Sequence, residues 1–187
     1  MSSVTAGILD ELWSPLVAVT AAHDGRANGL IASTALTASL VPEAPRVLVC
    51  LGKANLTREL VLASGAFAVH LLPAEPTDRS LEIFRSLGTR SGREVEKLAD
   101  LPTHPGVTGA PILDAALSYV EARVGSVLDL DELTVVVGDV VAQRRLREGD
   151  QLTIELVRRR LPPEWEAEWE THYRNELATA RRLRRGR

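Results

Sequence analysis

Extended segments recur along this chain without the regular strand–helix–strand alternation that a doubly wound parallel sheet needs, and that absence constrains the fold most. Leu16-Val17-Ala18-Val19-Thr20 is a short apolar, β-branched run closed by the turn cluster His23-Asp24-Gly25-Arg26. Asn28-Gly29 opens a second extended stretch. Pro45 to Leu51 reads as a buried strand, with Pro42 and Pro45 bracketing the connection before it. A helix is predicted from Asn55 to Ser64, where Asn55 is a good N-cap and Gly65 a stop. Strand character resumes at Phe67–Leu72. Residues 75–87 carry Leu81, Phe84 and Leu87 at helical spacing, Ser91–Leu98 is a shorter helical candidate, and Asp100–Pro111, rich in Pro and Gly, reads as loop. Three more strands are predicted at Leu117–Leu130, Glu132–Leu146 and Leu152–Arg159. Tyr119, Glu121 and Arg123 alternate with Val120, Ala122 and Val124, which predicts one wet face. So many strands with so few helices predict a mainly β protein with flanking helices, its sheet closed or partly closed into a barrel.

The 187 residues suit one domain with an appendage, and 45% apolar with 25% charged residues are ordinary globular values. We place residues 1–160 in that domain and residues 161–187 in a separate C-terminal amphipathic helix with an Arg-rich tail. Pro162-Pro163 stop the last strand and can start this helix. Glu164, Glu166, Glu168 and Glu170 crowd its beginning, while Arg174, Arg181, Arg182, Arg184, Arg185 and Arg187 crowd its end, a polarity that complements the helix dipole. Trp165, Trp169, Tyr173 and Leu177 recur every four residues as one stripe. Such a stripe packs on the barrel or on a partner subunit; the alternatives are that it covers a ligand site or belongs to a nucleic-acid tail, which the acidic turn ahead of the basic residues disfavours. The net charge of −3 gives no reason to expect nucleic acid, and no apolar run approaches the ~20 residues that span a bilayer. MSSVTAGILDELW has no basic n-region and does not read as a secretory signal. The single cysteine, Cys50, fits a reducing compartment, so the expected location is the cytoplasm.

Common catalytic and metal-binding patterns are missing. His23, His70, His104 and His172 lie far apart with no paired ligand spacing, and Cys50 reads as a small core residue rather than a nucleophile. No metal site is expected, and no catalytic side chain can be named. What remains is a polar, small-residue constellation. Ser33, Thr34, Thr37 and Ser39 interleave with apolar residues after Asn28, and small side chains let a planar ligand approach the backbone while hydroxyls bind its rim. Lys53-Ala54-Asn55-Leu56-Thr57 follows, where a strand passes into a helix. A helix start presents amides and the positive end of a dipole, Lys53 adds a charge, and Asn55 and Thr57 add side-chain donors, a set that suits a phosphate. Together the two stretches describe a flat, phosphorylated ligand with a polar edge.

These residues also carry a resemblance. Asn28-Gly29, Ala32-Ser33-Thr34, Ser39 and the prolines after it lead into Val47-Leu48-Val49-Cys50-Leu51-Gly52-Lys53-Ala54-Asn55-Leu56-Thr57. Gly65–Leu72, Ser91-Gly92-Arg93, Gly106–Leu113 and Val135–Val140 then follow in order. Over roughly residues 14–158 the series resembles the flavin reductase-like, FMN-binding split-barrel family. The resemblance implies a six-stranded Greek-key split β-barrel, a homodimer, and flavin near the subunit interface, FMN by family habit with FAD as the alternative. It implies that Asn28, Ala32, Ser33 and Thr34 line the isoalloxazine and ribityl part, with Ser39, Lys53, Asn55 and Thr57 nearer the phosphate. It further implies NAD(P)H as electron donor and a flavin-dependent oxygenase as a partner. One departure stands out. Many such reductases carry Gly-Asp-His before the strand matching Thr134–Val141, with that histidine at the nicotinamide site, whereas this chain reads Leu130-Asp131-Glu132-Leu133-Thr134. Ionised Glu132 cannot donate a hydrogen bond and would repel a pyrophosphate. The alternatives are therefore an FMN-binding electron carrier that does not itself react with NAD(P)H, and a barrel without flavin that serves binding or assembly.

Overall fold

A computed structural model describes residues 16–74 and 78–186. The N-terminal segment read against a secretory signal, and the first three residues of the predicted helix at 75–87, lie outside them.

The elements run β1 (Val17–His23), β2 (Arg26–Ala32), β3 (Ala35–Thr37), β4 (Arg46–Gly52), α1 (Leu56–Ser64), β5 (Ala66–Leu71), α2 (Asp78–Gly88), β6 (Thr103–Pro105), β7 (Pro111–Leu113), β8 (Ser118–Asp129), β9 (Leu133–Arg145), α3 (Ile154–Arg160) and α4 (Pro163–Arg185). Seven strands form one curled antiparallel sheet in the order β2-β1-β5-β8-β9-β4-β3. The family resemblance implies six; here the three-residue β3 also pairs along the β4 edge. Register shifts in the β8–β9 pairing, at Glu121/Ala122 and Val124/Ser126, bend the two longest strands as bulges do.

β1 explains the unbroken apolar run at its start, because it is buried on both faces. Val17, Val19 and Ala21 join the sheet interior with Leu51, Phe67 and Val136, while Leu16 and Ala18 join a second cluster with Phe84, Leu87 and Leu113. α1 covers the first cluster through Leu56, Leu60 and Val61. It ends as expected at Gly65, whose φ of 66° is a left-handed cap that a residue with Cβ rarely adopts. His70 bridges the two layers. The Leu113 N–H donates to Nε2 at 3.2 Å, so Nδ1 carries the proton and donates to the Ala18 carbonyl at 3.2 Å.

Four local expectations are corrected. Residues 152–159 are not a strand: Ile154, Val157 and Leu161 recur at helical spacing, the Thr153 hydroxyl accepts from the Leu156 N–H, and α3 forms. Pro162-Pro163 therefore separate two helices. Ser91–Leu98 makes turns instead of a helix, with Glu94 and Val95 both donating to the Ser91 carbonyl and Gly92 held against Asn28. The 100–111 loop contains β6, which pairs with β7 in a two-stranded ribbon. Finally, Glu121 is buried, not wet. Its carboxylate accepts from the Val107 N–H (3.1 Å), the Thr108 N–H (2.8 Å) and the Thr108 hydroxyl (2.7 Å), so a polar residue on the expected wet face holds the 106–109 turn.

α4 starts at Pro163, with Pro162 as N-cap. Its inward face is not the four-residue stripe. Steps of four drift by about 40° each on a helix of 3.6 residues per turn, so Tyr173 is 45% exposed and the inward face runs through Trp165, Glu168, Trp169, His172 and Glu176. Trp165 and Trp169 pack on the second cluster, the latter edge-on to Phe84 with ring centroids 5.4 Å apart. Among the described residues no helix is long and apolar enough to cross a membrane.

Candidate functional site

At the start of α1 one residue from each of the two sequence stretches meets the other. β2 and β4 lie in different parts of the curled sheet, and α1 leaves β4 to pack across β1 and β2. This brings Thr57 under Asn28, whose Nδ2 donates to the Thr57 hydroxyl at 3.1 Å. Both side chains are buried, so they couple β2 to α1 from beneath. Gly92 closes over Asn28 so tightly that a Cβ there would come within 2.2 Å of Nδ2, which leaves room only for glycine.

Asn55 is the N-cap residue of α1, but its side chain makes no capping bond. Instead its Nδ2 donates to Oε1 of Glu176 on α4 at 2.9 Å. Lys53 is not a free charge. Its Nζ lies 2.7 Å from Asp129, which also takes Arg58 at 3.1 Å and the Thr134 hydroxyl at 2.8 Å. The Lys53 hydrogen bond foremost, then Thr134 and Arg58, hold the Asp129 carboxyl down at about 2. The Lys53 N–H donates to the Glu132 carbonyl oxygen, which fixes the β8–β9 turn against the end of β4.

The remaining sequence candidates spread from the end of β2 to the loop before β4. Ala32 is a core residue, Ser33 is exposed, and the Thr34 carbonyl accepts from the Cys50 N–H. Cys50 is half-buried, and burial pushes its thiol pKa up. Ser39 is not brought to the others. Its hydroxyl bonds within its own loop to Val41, and its neighbour Ala38 pairs with Arg46 at the opposite end of β4 from Lys53, about 20 Å of strand away.

Beside Asn55 lies a cleft of about 190 Å³, lined by Ser91, Gly92, His172, Asn175 and Glu176. A larger open groove of about 530 Å³ runs between α2 and the 100–102 loop and touches none of the residues above. Lys97 is buried, with Nζ donating to the Leu87 carbonyl at 2.8 Å, and burial lowers its pKa to about 8. Sequence reasoning missed His172, Glu176, Asp129 and Lys97. The first two were legible only as an i, i+4 pair on the true inward face of α4. Among the described residues, no three His, Cys, Asp or Glu side chains are grouped to hold a metal ion.

Residues 9–162 match the family model described as flavin reductase like domain. A ferric-chelate reductase (NAD(P)H) of Archaeoglobus fulgidus is 33% identical over 139 residues, 74% of this chain and 79% of that protein. A high molecular weight rubredoxin of Moorella thermoacetica is 30% identical over 146 residues, and the chain spans 62% of its length. Among solved structures, an FMN-binding protein from Thermus thermophilus with bound 1-cyclohex-2-enone superimposes with a TM-score of 0.66 at 25% identity, covering 75% of each chain. Nitrilotriacetate monooxygenase component B from Mycobacterium thermoresistibile gives 0.66 at 25% identity, covering 76% of this chain and 75% of its own.

Proposed function

The chain belongs to the flavin reductase-like family, and from that premise we propose that it is an FMN-binding oxidoreductase that passes electrons from NADH or NADPH to flavin or a flavin-linked acceptor. The observation that carries this reading is the Asn28–Thr57 bond, which joins β2 to the start of α1 with Asn55 and Lys53 alongside. The donors there suit the anionic end of a flavin: first-turn amides without an acceptor inside the helix, an amide side chain not used in capping, and an ammonium held in place by Asp129. When bound, the flavin supplies the redox step. The chain's own part is to bind and orient it. Lys53 and Asn55 hold the phosphate, Asn28 and Thr57 keep β2 and α1 in register beneath, and Ser33 and Thr34 offer small polar contacts beside the ring. Ser39 has no place at the phosphate end. FAD is the alternative ligand, and comparing FMN with FAD by flavin-fluorescence titration decides between them.

In this reading residues 1–160 are the flavin unit and 161–187 an appended helix, in the cytoplasm, where the lone thiol of Cys50 stays reduced. A reductase subunit of a flavin-dependent monooxygenase from Mycobacterium tuberculosis, 29% identical over 71% of this chain, supports a flavin-dependent oxygenase as the partner that takes the electrons. The test is anaerobic rapid mixing of the flavin-loaded protein with NADH and with NADPH. Loss of the visible absorbance of oxidised flavin with either nucleotide is expected, and its persistence with both would overturn reductase activity. Glu132 favours one second reading, an electron carrier inert to nicotinamide, because a carboxylate stands at the turn where related reductases place a histidine. Reduction by dithionite but not by NAD(P)H would select it.

Lys53→Ala is expected to weaken FMN about 10- to 150-fold while changing riboflavin little, since only FMN carries the phosphate and a charge-assisted bond contributes roughly 1.5–3 kcal/mol. Equal losses for both ligands would remove Lys53 from that role.

The homodimer is part of the proposal and rests on the outer face of the sheet. Leu36 faces Leu48, which faces Val137, and Cys50 faces Val135, which faces Leu128, so these six residues share the face opposite buried Val49 and Val136. Leu36 and Leu128 are 49% and 59% exposed. A sheet apolar on both faces needs a cover, and a second copy of this chain supplies one with the same apolar face. Leu128→Glu should convert a dimer into a monomer in light scattering; a wild-type monomer at micromolar concentration would sink the assignment.

A further inference from the structure

α4 is held to the domain in two different ways along its length. Its first half is anchored by packing: Trp169 lies edge-on to Phe84, Arg85 stacks 4.6 Å over the Trp165 ring, and the same guanidinium takes both Glu168 oxygens at 2.9 and 2.6 Å. No residue of α4 is fully buried, and its second half is pinned by polar contacts. Asn55 donates to Glu176, His172 lies 3.5 Å from the same carboxylate, and Arg184 lies 3.5 Å from Glu132. Burial opposes the charge on Glu176, but His172, Asn55 and the Lys97 ammonium together outweigh it and hold its pKa below the usual value.

We propose that the distal half of α4 is an internal plug, in which the Glu176 carboxylate occupies the anion-binding start of α1 and must leave before a flavin phosphate can bind. This rests on the flavin reading above and adds its regulation. Three observations converge on it. An amide bonds a single carboxylate and a histidine lies 3.5 Å from it, with the Lys97 charge acting on it from beyond contact, and that carboxylate belongs to a helix beyond the family domain, whose match ends at residue 162. The cleft left beside it, about 190 Å³, is below the roughly 300–1,000 Å³ of ordinary small-molecule sites. The outermost pin is also the kind of contact that opens locally: Arg184 is 69% exposed, and such pairs contribute little, while the packed first half keeps the plug tethered at high effective concentration. The Arg184–Glu132 contact, 3.5 Å, extends the pinned segment to the β8–β9 turn.

The test uses the full chain and two probes, FMN and riboflavin, followed by flavin fluorescence, with Glu176→Gln and Ala178→Pro as variants. Removing the carboxylate charge should tighten FMN on the order of tenfold while riboflavin moves by less than about twofold, because only the phosphate competes with Glu176. Proline at exposed position 178 breaks the helix just past Glu176 without deleting a buried contact, and should act in the same direction. In hydrogen exchange, saturating FMN should speed the amides of 173–182 and leave those of 164–170 unchanged. Wild-type FMN affinity in both variants, or slower exchange at 173–182 on FMN binding, would overturn the plug and leave the flavin reading intact. If no variant binds either flavin, both fall.

Discussion

Lowering the pH from 6.5 to 4 should remove about 3 kcal/mol of folding stability through His70 alone. The ring is fully buried, and burial foremost depresses its pKa to about 4 against the ordinary 6.5, with the Ala18 carbonyl only partly offsetting it. Between those values the unfolded chain binds a proton that the folded chain refuses. The contribution is therefore whole above pH 6.5, falls as the pH drops through the window, and levels off below 4. The structural reason is the pair of bonds His70 makes. Nε2 must stay unprotonated to accept the Leu113 N–H, and a second ring N–H would face that donor directly. Urea midpoints at pH 7 and pH 4.5 measure the effect. A His70→Asn variant, though less stable throughout, should lose less over the same interval, and parallel losses in the two proteins would refute this origin.

Phe67→Ala is expected to cost about 3–5 kcal/mol, the range for emptying a buried aromatic site. Phe67 is fully buried in the sheet interior, and its ring sits over Gly138 of β9. A Cβ at residue 138 would come within 2.8 Å of two Phe67 ring atoms and of the Ala122 Cβ. Gly138→Ala should therefore destabilise by roughly 1–3 kcal/mol through overpacking. The double variant should lose less than the sum, because removing the ring relieves one of the two clashes and the new methyl takes up part of the cavity. Strict additivity in denaturant melts would mean that the two positions do not pack as described.

Part of the candidate site's outline was legible before its geometry. Of the two polar stretches, Asn28 and Thr57 meet in one bond, while the hydroxyl residues after Asn28 lie elsewhere. The roles shifted, however. Asn55 reads as an N-cap from its type and place, yet its side chain bonds a carboxylate 121 positions later. Lys53 reads as a free charge, yet Asp129, at the end of β8 two strands away, holds it. Glu121 alternates as a wet-face residue, but the turn at 106–109 folds over it. Residues 152–159 look extended from their β-branched members, and only the Thr153 cap with the burial of Val157 selects a helix.

The sequence by itself determined what depends on near neighbours: the strands around β1, β4 and β5, the start and stop of α1, the proline entry to α4, and the ordered motifs that mark the family. Periodicity, capping and turn chemistry act over a few residues and can be read in one dimension. Only the tertiary structure decided which partner each polar group takes. A buried donor or acceptor is satisfied by whatever the fold brings within about 3 Å, and here those partners lie tens of residues away in the chain. The pairing of Asn55 with Glu176, and with it the plugged state of the α1 start, is therefore a property of how α4 lies across the domain.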